Sequence, residues 1–250
     1  MKKFTFTLLT VLLIGLYSCS SDDPLTDTGG NSNTSQRKIT KIEKLNQQGT
    51  IFSTEILTYD SQGRWIKSEE TADNQVKAKT ISYSANTITF RDNYYNEETI
   101  FGLKNNLIVS RGDESYDSYH YSNGYLSRIG TGSYADFEYS NGNLSKVVED
   151  DGDSYYNITY TDYPDKIGIN IFEPSYNDGD LEVRPNNPLY QFGYFGKKSN
   201  NLIKTVKGRY YNGNTDTFTY SYSFDSEGYV TEMIAQGGYP SYIKYIFYYE

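Results

Sequence analysis

The side chains that most often carry out catalysis or hold metals are scarce in this chain of 250 residues. His120 is the only histidine and Cys19 is the only cysteine. A zinc site made from histidine and cysteine needs about three or four such ligands. A Ser-His-Asp triad would need His120, which no Gly-x-Ser-x-Gly motif accompanies. The sequence therefore predicts no metal, no cofactor and no catalytic residues, and His120 is interpreted as a strand residue just before a hairpin turn.

Acidic residues are plentiful, with 32 Asp and Glu in the chain. Two acidic runs, 150–153 (DDGD) and 177–180 (NDGD), contain oxygen ligands of the kind that calcium prefers. Calcium needs about six to eight oxygens, and neither run continues as an EF-hand loop, so Asp-Gly hairpin turns are the favoured interpretation. A pair of carboxylates placed for glycoside hydrolysis is the basis of one alternative function, an enzyme that acts on polysaccharide.

One long connection, Glu173 to Pro188, interrupts the regular spacing of turns and holds three of the six prolines. Loops longer than about 12–15 residues are uncommon and are often functional or disordered. Tyrosine beside carboxylates can contact a sugar or a protein surface. We therefore expect any localised binding site to lie at this connection and to be formed by Tyr176, Asp178 and Asp180.

Tyrosine is far more frequent than the other aromatic residues, with 28 Tyr against 12 Phe and one Trp. Neighbouring residues of a strand point to opposite faces of the sheet, so a tyrosine doublet places one ring away from the better-buried side. Such a ring is suited to stacking on sugars or contacting a protein. The alternative is that tyrosine covers a thin sheet as an amphipathic strand residue. The doublets are Tyr94-Tyr95, Tyr155-Tyr156, Tyr210-Tyr211 and Tyr248-Tyr249.

Short strands joined by turns would position these residues. A recurring unit has an aromatic residue, a polar turn with glycine, an apolar residue and a second apolar residue three positions later. Such turns favour hairpins because Asn and Gly tolerate positive φ. Trp65 stands where Leu126 and Leu144 stand in their copies, which favours a core position over a sugar platform. An ideal strand would place Leu126 and Ile129 on opposite faces, so either a bulge intervenes or both faces are covered. The clearest copies are YDSQGRWIKS at 59–68, YSNGYLSRI at 121–129, YSNGNLSKV at 139–147 and FDSEGYVTEM at 224–233.

Strand predictions rest on residues that alternate between apolar and polar along the chain. Aromatic residues alternate with Thr and Ser in 216–224, and 154–160 alternates in the same way. The last segment, 241–250, is apolar or aromatic on both faces, so we expect it to pair on both sides, with 38–45 as one partner. The sequence predicts an all-β chain, an antiparallel meander of about 14–18 short strands that is strongly curled or closed into a barrel-like sheet.

The N-terminus has the features of an export signal. Lys2 and Lys3 precede a 14-residue apolar stretch from Phe4 to Tyr17, which is shorter than the ~20 residues of a spanning helix. The Leu-Tyr-Ser-Cys sequence that ends at Cys19 resembles the lipobox of bacterial lipoproteins, although Tyr17 departs from the usual small or β-branched residue. The resemblance implies cleavage of a signal peptide, 1–18, and lipid attachment at Cys19. An ordinary cleaved secretory signal is the alternative.

Residues 19–36 are polar and almost free of large apolar side chains, so we expect a flexible tether followed by one folded domain over 37–250. Asp22 and Asp23 resemble the acidic export signal that Bacteroides-type lipoproteins carry beside the lipid, or they simply open the tether. The chain has a net charge of −9 and a pI of about 4.8. Such a chain is not suited to hold nucleic acid by neutralising phosphates.

The hairpin units, the lipobox and the terminal IFYYE resemble the β-rich lipoprotein domains of Bacteroides-type bacteria, domains of unknown function with a porin-like fold. The hairpins are also similar to the YD repeats of larger wrapped shell proteins. The resemblance implies a porin-like sheet and a place in the cell envelope, and it carries over no site residues. It does not require a pore. A transmembrane barrel turns an apolar face to lipid, whereas here that face would be mostly Tyr with Glu and Lys.

We therefore expect a protein that a lipid at Cys19 holds on the outer membrane, exposed at the cell surface or, alternatively, facing the periplasm. The membrane is one expected partner. The predicted function is that of a non-enzymatic module that binds a glycan or another envelope protein. The alternatives are a structural subunit of an outer-membrane assembly and a carboxylate-dependent enzyme.

Overall fold

A computed structural model of the chain describes residues 37–112, 118–130, 134–149, 152, 154–172, 181–184, 187–210, 212–237 and 241–250. Most of the described residues lie in β-strands, and the one helix among them, α1, spans four residues, Pro188–Gln191. The strands are β1 (Ile39–Leu45), β2 (Ile51–Tyr59), β3 (Trp65–Ala72), β4 (Gln75–Tyr83), β5 (Thr87–Asp92), β6 (Glu97–Lys104), β7 (Leu107–Arg111), β8 (Tyr119–Ser122), β9 (Tyr125–Ile129), β10 (Ala135–Ser140), β11 (Asn143–Glu149), β12 (Tyr155–Pro164), β13 (Asn170–Phe172), β14 (Leu181–Arg184), β15 (Asn201–Arg209), β16 (Thr215–Phe224), β17 (Val230–Gln236) and β18 (Tyr242–Tyr249).

A 16-stranded antiparallel sheet holds all of these strands except β13 and β14, which pair with each other. The sheet runs from β7 back to β1, then through β18 to β15 and from β12 to β8. A bridge between Ser110 and Ser118 joins its two outermost strands, β7 and β8. The sheet is therefore a nearly closed up-and-down barrel, and the predicted all-β curled meander is confirmed.

The first and last strands close the barrel on the side opposite that bridge. β18 pairs with β17 and with β1, so the predicted pairing on both sides is confirmed. The Lys38 N–H donates to the Glu250 carbonyl at 3.3 Å, and the Glu250 N–H donates to the Lys38 carbonyl at 3.0 Å. Residues 37 and 250 thus lie at one end of the barrel, called the near end. The opposite end, which carries the turns at 46–50, 73–74 and 93–96, is called the far end.

The recurring hairpin units have their turns at the near end, and each turn is followed by a bulge. In the unit at 121–129, Tyr121 lies opposite Leu126, but the next pair skips Ser127. The extra residue brings Leu126 and Ile129 to the same side of the sheet, where both are buried. A bulge therefore explains the three-residue spacing of the apolar residues. The same shift accompanies the turns at 60–64, 141–142 and 225–229.

Positive φ angles at the near end explain why Asn-Gly recurs there. Asn123 and Gly124 have φ values of 53° and 80°, and Asn141 and Gly142 have values of 52° and 77°. Two consecutive residues with positive φ form the type I′ turn, whose twist matches that of the paired strands. These dipeptides therefore fix the near-end hairpins locally.

Tyrosine hydroxyls complete the sheet at the near end, where neighbouring strands separate. The Tyr83 hydroxyl donates to the Trp65 carbonyl at 2.7 Å, two residues before the first ladder pair of β3 and β4, at Lys67. Each such hydroxyl satisfies a carbonyl that the ladder does not reach. Tyrosine hydroxyls donate hydrogen bonds of the same length to backbone carbonyls in five more pairs: Tyr59 to Ile39, Tyr121 to Ile108, Tyr160 to Leu144, Tyr222 to Ile203 and Tyr249 to Val230.

Alternating side chains fill the barrel. In β16 the exposed Thr and Ser residues alternate with aromatic residues that are buried or half-buried, which confirms the predicted strand pattern. The inward-facing residues form one hydrophobic core that includes Trp65, as expected from its place in the repeat. The most deeply buried members include Ile42, Ile88, Phe101, Ile108, Phe195, Leu202, Val206 and Met233.

The long connection from β12 to β15 packs across the near end. Asn187 caps α1 by accepting the Tyr190 N–H at 3.1 Å. Beyond the helix, the Tyr194 carbonyl accepts the Ile108 N–H of β7 at 2.9 Å, and the Lys197 N–H donates to the Gly124 carbonyl before β9 at 2.8 Å. The segment thus fills the gap between the outermost strands. The predicted loop from 173 to 188 also includes strand β14, which the sequence pattern did not predict.

Candidate functional site

The residues that the sequence singled out for binding, Tyr176, Asp178 and Asp180, lie outside the described residues, as does Cys19. The acidic run 177–180 also lies outside them. The structure does describe their surroundings, because β13 and β14 pair on either side of 173–180. A different surface stands out among the described residues.

Exposed apolar side chains concentrate on one part of the barrel. Nine large hydrophobic residues are exposed among those described, and seven of them lie between residues 51 and 100. Five of the seven lie beside far-end turns, where they form a surface that we call the far-end rim. It consists of Ile51, Phe52, Val76, Tyr94 and Tyr95.

Two tyrosines in the turn between β5 and β6 form the aromatic part of this rim. The Asp92 carboxylate accepts the N–H of Tyr94 at 2.9 Å and that of Tyr95 at 3.2 Å. Asn96 ends the turn with a φ of 56°. An aspartate that binds backbone N–H groups two and three residues later fixes a turn locally. The turn holds both rings outward, with Tyr94 46% exposed and Tyr95 60% exposed.

Residues of β4 hold these rings in place. The Tyr94 hydroxyl donates to Gln75 Oε1 at 3.0 Å. The two rings meet edge to face, with centroids 4.9 Å apart and planes at 88°. Lys77 Nζ lies 4.8 Å from the Tyr94 centroid and 5.9 Å from the Tyr95 centroid, within the range of cation–π attraction. We call Tyr94, Tyr95, Gln75 and Lys77 the aromatic platform.

Charged side chains line the inner wall of β1 to β3 on the core side. Glu55 lies directly opposite Glu70 on the neighbouring strand. Lys44 Nζ is 2.9 Å from Glu70 Oε1, and the Ser53 hydroxyl donates to the same oxygen at 2.6 Å. These contacts neutralise part of a charge cluster that the fold removes from water.

The two facing carboxylates differ in proton affinity. Burial raises the pKa of Glu55, which exposes only 7% of its surface, and Lys44 opposes that shift. Burial also acts on Glu70, but Lys44 and Ser53 outweigh it and lower the pKa of Glu70. Facing carboxylates with separated pKa values can act as an acid and a base. In this wall, the Glu70 carboxylate is already bound by Lys44 and Ser53. Glu55 has so little exposed surface that a substrate could hardly reach its carboxylate.

A second charge, which is partly buried, lies at the near end. The Asp165 carboxylate accepts the N–H groups of Ile167, Gly168 and Ile169 at 3.1, 2.8 and 2.7 Å. Burial raises the pKa of Asp165 from 3.8 to about 6, although these N–H donors and Lys198 act in the opposite direction. Burial also disfavours the charged form of Lys198 and therefore lowers its pKa. Asp165 therefore organises the start of the connection that packs across the near end.

The tyrosine doublets follow the alternation rule where they lie in strands. In β12, Tyr156 is buried and Tyr155 is half-buried, and in β18 Tyr248 is exposed whereas Tyr249 packs on the core. Tyr94 and Tyr95 depart from the rule because they lie in a turn, which leaves both rings exposed. Tyr211 lies outside the described residues.

His120 lies where the sequence placed it, on β8 just before the turn at 123–124. It is exposed, and its Nε2 is 3.0 Å from the Ser118 hydroxyl. The described residues contain no group of three or more His, Cys, Asp or Glu placed to hold a metal ion. None of the described helical structure is long and apolar enough to span a membrane.

Two solved structures share this architecture. A porin-like protein from Bacteroides uniformis aligns with a TM-score of 0.60 and 17% identity, covering 85% of this chain and 98% of its own. A porin-like protein from Bacteroides vulgatus aligns with a TM-score of 0.57 and 15% identity, with the same two coverages. No protein-family model and no curated protein matches the sequence. At this identity the likeness concerns the fold, and it confirms the porin-like part of the resemblance inferred from the hairpins.

Proposed function

We propose that the chain is an envelope protein, held on the outer membrane by a lipid at Cys19, whose barrel is a non-enzymatic binding module for a glycan or another envelope protein. The observation that carries the proposal is the far-end rim. Exposed apolar side chains that are grouped rather than scattered are typical of interaction sites.

The position of the chain termini supports this use of the rim. Residue 37 lies at the near end, because Lys38 pairs with Glu250 there. The strands of the barrel then separate the tether from the rim by roughly 20–30 Å, at about 3.3 Å per residue. A lipid at Cys19 would therefore attach the barrel from its near end and leave the rim at the end farther from the attachment point.

The outer wall of the barrel supports a module surrounded by water. Ion pairs on this wall join Arg91 to Glu98 at 2.6 Å and Arg128 to Asp136 at 2.6 Å. The outward residues of β16 are Thr and Ser and are exposed. Apart from isolated apolar residues, this wall offers side chains that interact favourably with water.

The lipid anchor is tested with Cys19→Ala in the full chain. The wild type is expected to incorporate radiolabelled palmitate and to fractionate with the outer membrane, and the variant is expected to do neither. Ser18→Ala, which keeps a small residue before the cysteine, is the matched control and should be labelled normally. Label retained by Cys19→Ala would contradict the anchor.

The orientation is tested with new cysteines at residues of similar exposure. Val76 at the far end is 60% exposed and Tyr163 at the near end is 56% exposed. On intact cells, a membrane-impermeant maleimide is expected to label Val76→Cys faster than Tyr163→Cys. Labelling of both only after permeabilisation would indicate the periplasmic face, and faster labelling at Tyr163→Cys would contradict the proposed orientation.

A further inference from the structure

We propose that the aromatic platform is a saccharide-binding site that takes a neutral pyranose chain. This inference rests on the proposed function, because it names the ligand class of the binding module. The ring of one sugar would pack on Tyr95, and hydroxyl groups of the sugar would bind Gln75 and Lys77.

The geometry of the platform suits a sugar ring. The more exposed ring, Tyr95, offers a flat apolar face of the kind that packs on the C–H face of a pyranose. Tyr94 stands at 88° to it and therefore forms a side wall. Because Asp92 fixes the turn and Gln75 fixes the Tyr94 hydroxyl, little freedom would be lost when a ligand binds.

Polar groups are available beside the rings. Gln75 uses Oε1 for Tyr94, and its amide nitrogen makes no hydrogen bond to a described residue. Lys77 forms no ion pair within the described part of the chain, although it contacts both rings. An amide and an ammonium beside an aromatic face can donate to the hydroxyl oxygens of a sugar. A purely apolar partner would leave these donors without acceptors.

The charge around the platform favours a neutral sugar over an acidic one. Exposed Asp73 lies in the turn at 73–74, and exposed Glu97 begins β6 directly after the turn at 93–96. Asp92 accepts the backbone N–H groups of Tyr94 and Tyr95, and Lys79 Nζ is 3.9 Å from its carboxylate. These three carboxylates outnumber Lys77 and Lys79, Arg91 is paired with Glu98 at 2.6 Å, and the whole chain carries a charge of −9. Uronate or sulfate groups would be repelled.

The experiment uses the lipidated full chain purified in detergent. It is applied to an array of neutral gluco-, manno-, galacto- and xylo-oligosaccharides printed beside uronate-bearing and sulfated oligosaccharides. The wild type is expected to bind at least one neutral series, and titration calorimetry with that oligosaccharide gives the affinity. Changing the salt concentration from 50 to about 500 mM is expected to alter this affinity little, because neutral ligands are not screened.

Variants connect the binding to the platform. Tyr95→Ala is expected to weaken binding about tenfold, and Tyr94→Ala combined with Tyr95→Ala should abolish it. Tyr95→Phe keeps the ring and should retain most of the affinity. Tyr163→Ala removes a similarly exposed tyrosine from the near end and should leave the affinity unchanged.

Three outcomes would overturn the inference. They are salt-sensitive binding to acidic sugars alone, neutral-sugar binding that survives loss of both platform rings, and silence across the array. Each leaves the proposed anchor and orientation intact, because those are decided by palmitate labelling at Cys19 and maleimide labelling at Val76→Cys. Failure of the proposed anchor and orientation is therefore distinguishable from failure of the saccharide site.

Discussion

The two ends of the barrel use tyrosine in opposite ways. At the near end six rings, including that of Tyr83, pack on the core, and their hydroxyls donate to carbonyls that the strand ladder does not reach. At the far end Tyr94 and Tyr95 lie in a turn and expose about half of their surface. The same residue therefore stabilises one end of the sheet and offers a contact surface at the other. The difference follows from where the ring points, because these near-end rings project from strands toward the core and both far-end rings project from a turn into solvent.

The largest expected effect comes from removing a near-end ring. Tyr222→Ala deletes an aromatic side chain that packs on the core and loses the hydroxyl bond to the Ile203 carbonyl. We expect the free energy of unfolding to fall by about 3–5 kcal/mol, as measured by urea denaturation monitored by circular dichroism. A loss below about 1 kcal/mol would mean that the near-end rings do not support the sheet.

A second effect concerns pH and the near-end carboxylate. The pKa of Asp165 is raised from 3.8 in its ordinary state to about 6 in the fold. Between these values the unfolded chain has lost the proton and the folded chain keeps it, so the stabilising contribution of the protonated group is lost as pH rises. Relative to Asp165→Asn, the wild type should lose roughly 2–3 kcal/mol of unfolding free energy between pH 4 and pH 7.

That experiment is a series of denaturation curves of both proteins at each pH. Glu70→Gln is the control of opposite sign. Because the pKa of Glu70 is lowered in the fold, its contribution is present above its ordinary pKa of 4.5 and is lost as pH falls. A constant difference between the wild type and Asp165→Asn across the range would contradict the raised pKa of Asp165.

A smaller effect is expected when a near-end tyrosine keeps its ring and loses its hydroxyl. Tyr83→Phe leaves the Trp65 carbonyl without its 2.7 Å donor, and we expect a loss of about 1–2 kcal/mol in unfolding free energy. Tyr125→Phe is the matched control, because the Tyr125 hydroxyl makes no hydrogen bond with a described residue. Equal losses in the two variants would show that the carbonyl contact does not matter.

The smallest stability effect is expected at the far end. Tyr95→Ala removes a ring that is 60% exposed, and the free energy of unfolding should change by no more than about 0.5 kcal/mol. Thermal and urea denaturation can both measure this. A destabilisation as large as that of Tyr222→Ala would remove the distinction between the two ends.

The barrel could be predicted from the sequence because its signals are local. Asn-Gly turns specify hairpins through their own φ angles, and alternation over a few residues identifies the strands. The Leu126 to Ile129 spacing stayed ambiguous, because a bulge is defined by the partner strand as well as by the bulged one. In the structure Tyr121 lies opposite Leu126 and His120 lies opposite Arg128, so Ser127 is the extra residue of a bulge. The bulge accounts for the three-residue spacing.

The far-end platform could not be predicted in the same way. The alternation rule exposes one ring of the doublet Tyr94-Tyr95 only if the doublet lies in a strand, whereas the structure places it in a turn. Asp92, two residues before Tyr94, was the available signal, because an aspartate at that spacing favours a turn. Glu55 faces Glu70 because of the register between β2 and β3, which includes the bulge after the turn at 60–64. Amino-acid composition carries no information about this register.

The pairing of β1 with β18 affects the order in which the strands can pair during folding. Apart from this pairing and the link from β12 to β15, neighbouring strands of the sheet are consecutive in the chain or meet at the Ser110–Ser118 bridge. Most hairpins can therefore form as the chain emerges, whereas β1 must wait for the final strand, Tyr242–Tyr249. A chain truncated before Tyr242 would keep unpaired edges on β1 and β17, and such edges promote pairing between molecules. The last strand, Tyr242–Tyr249, thus joins the two halves of the sheet into one nearly closed barrel.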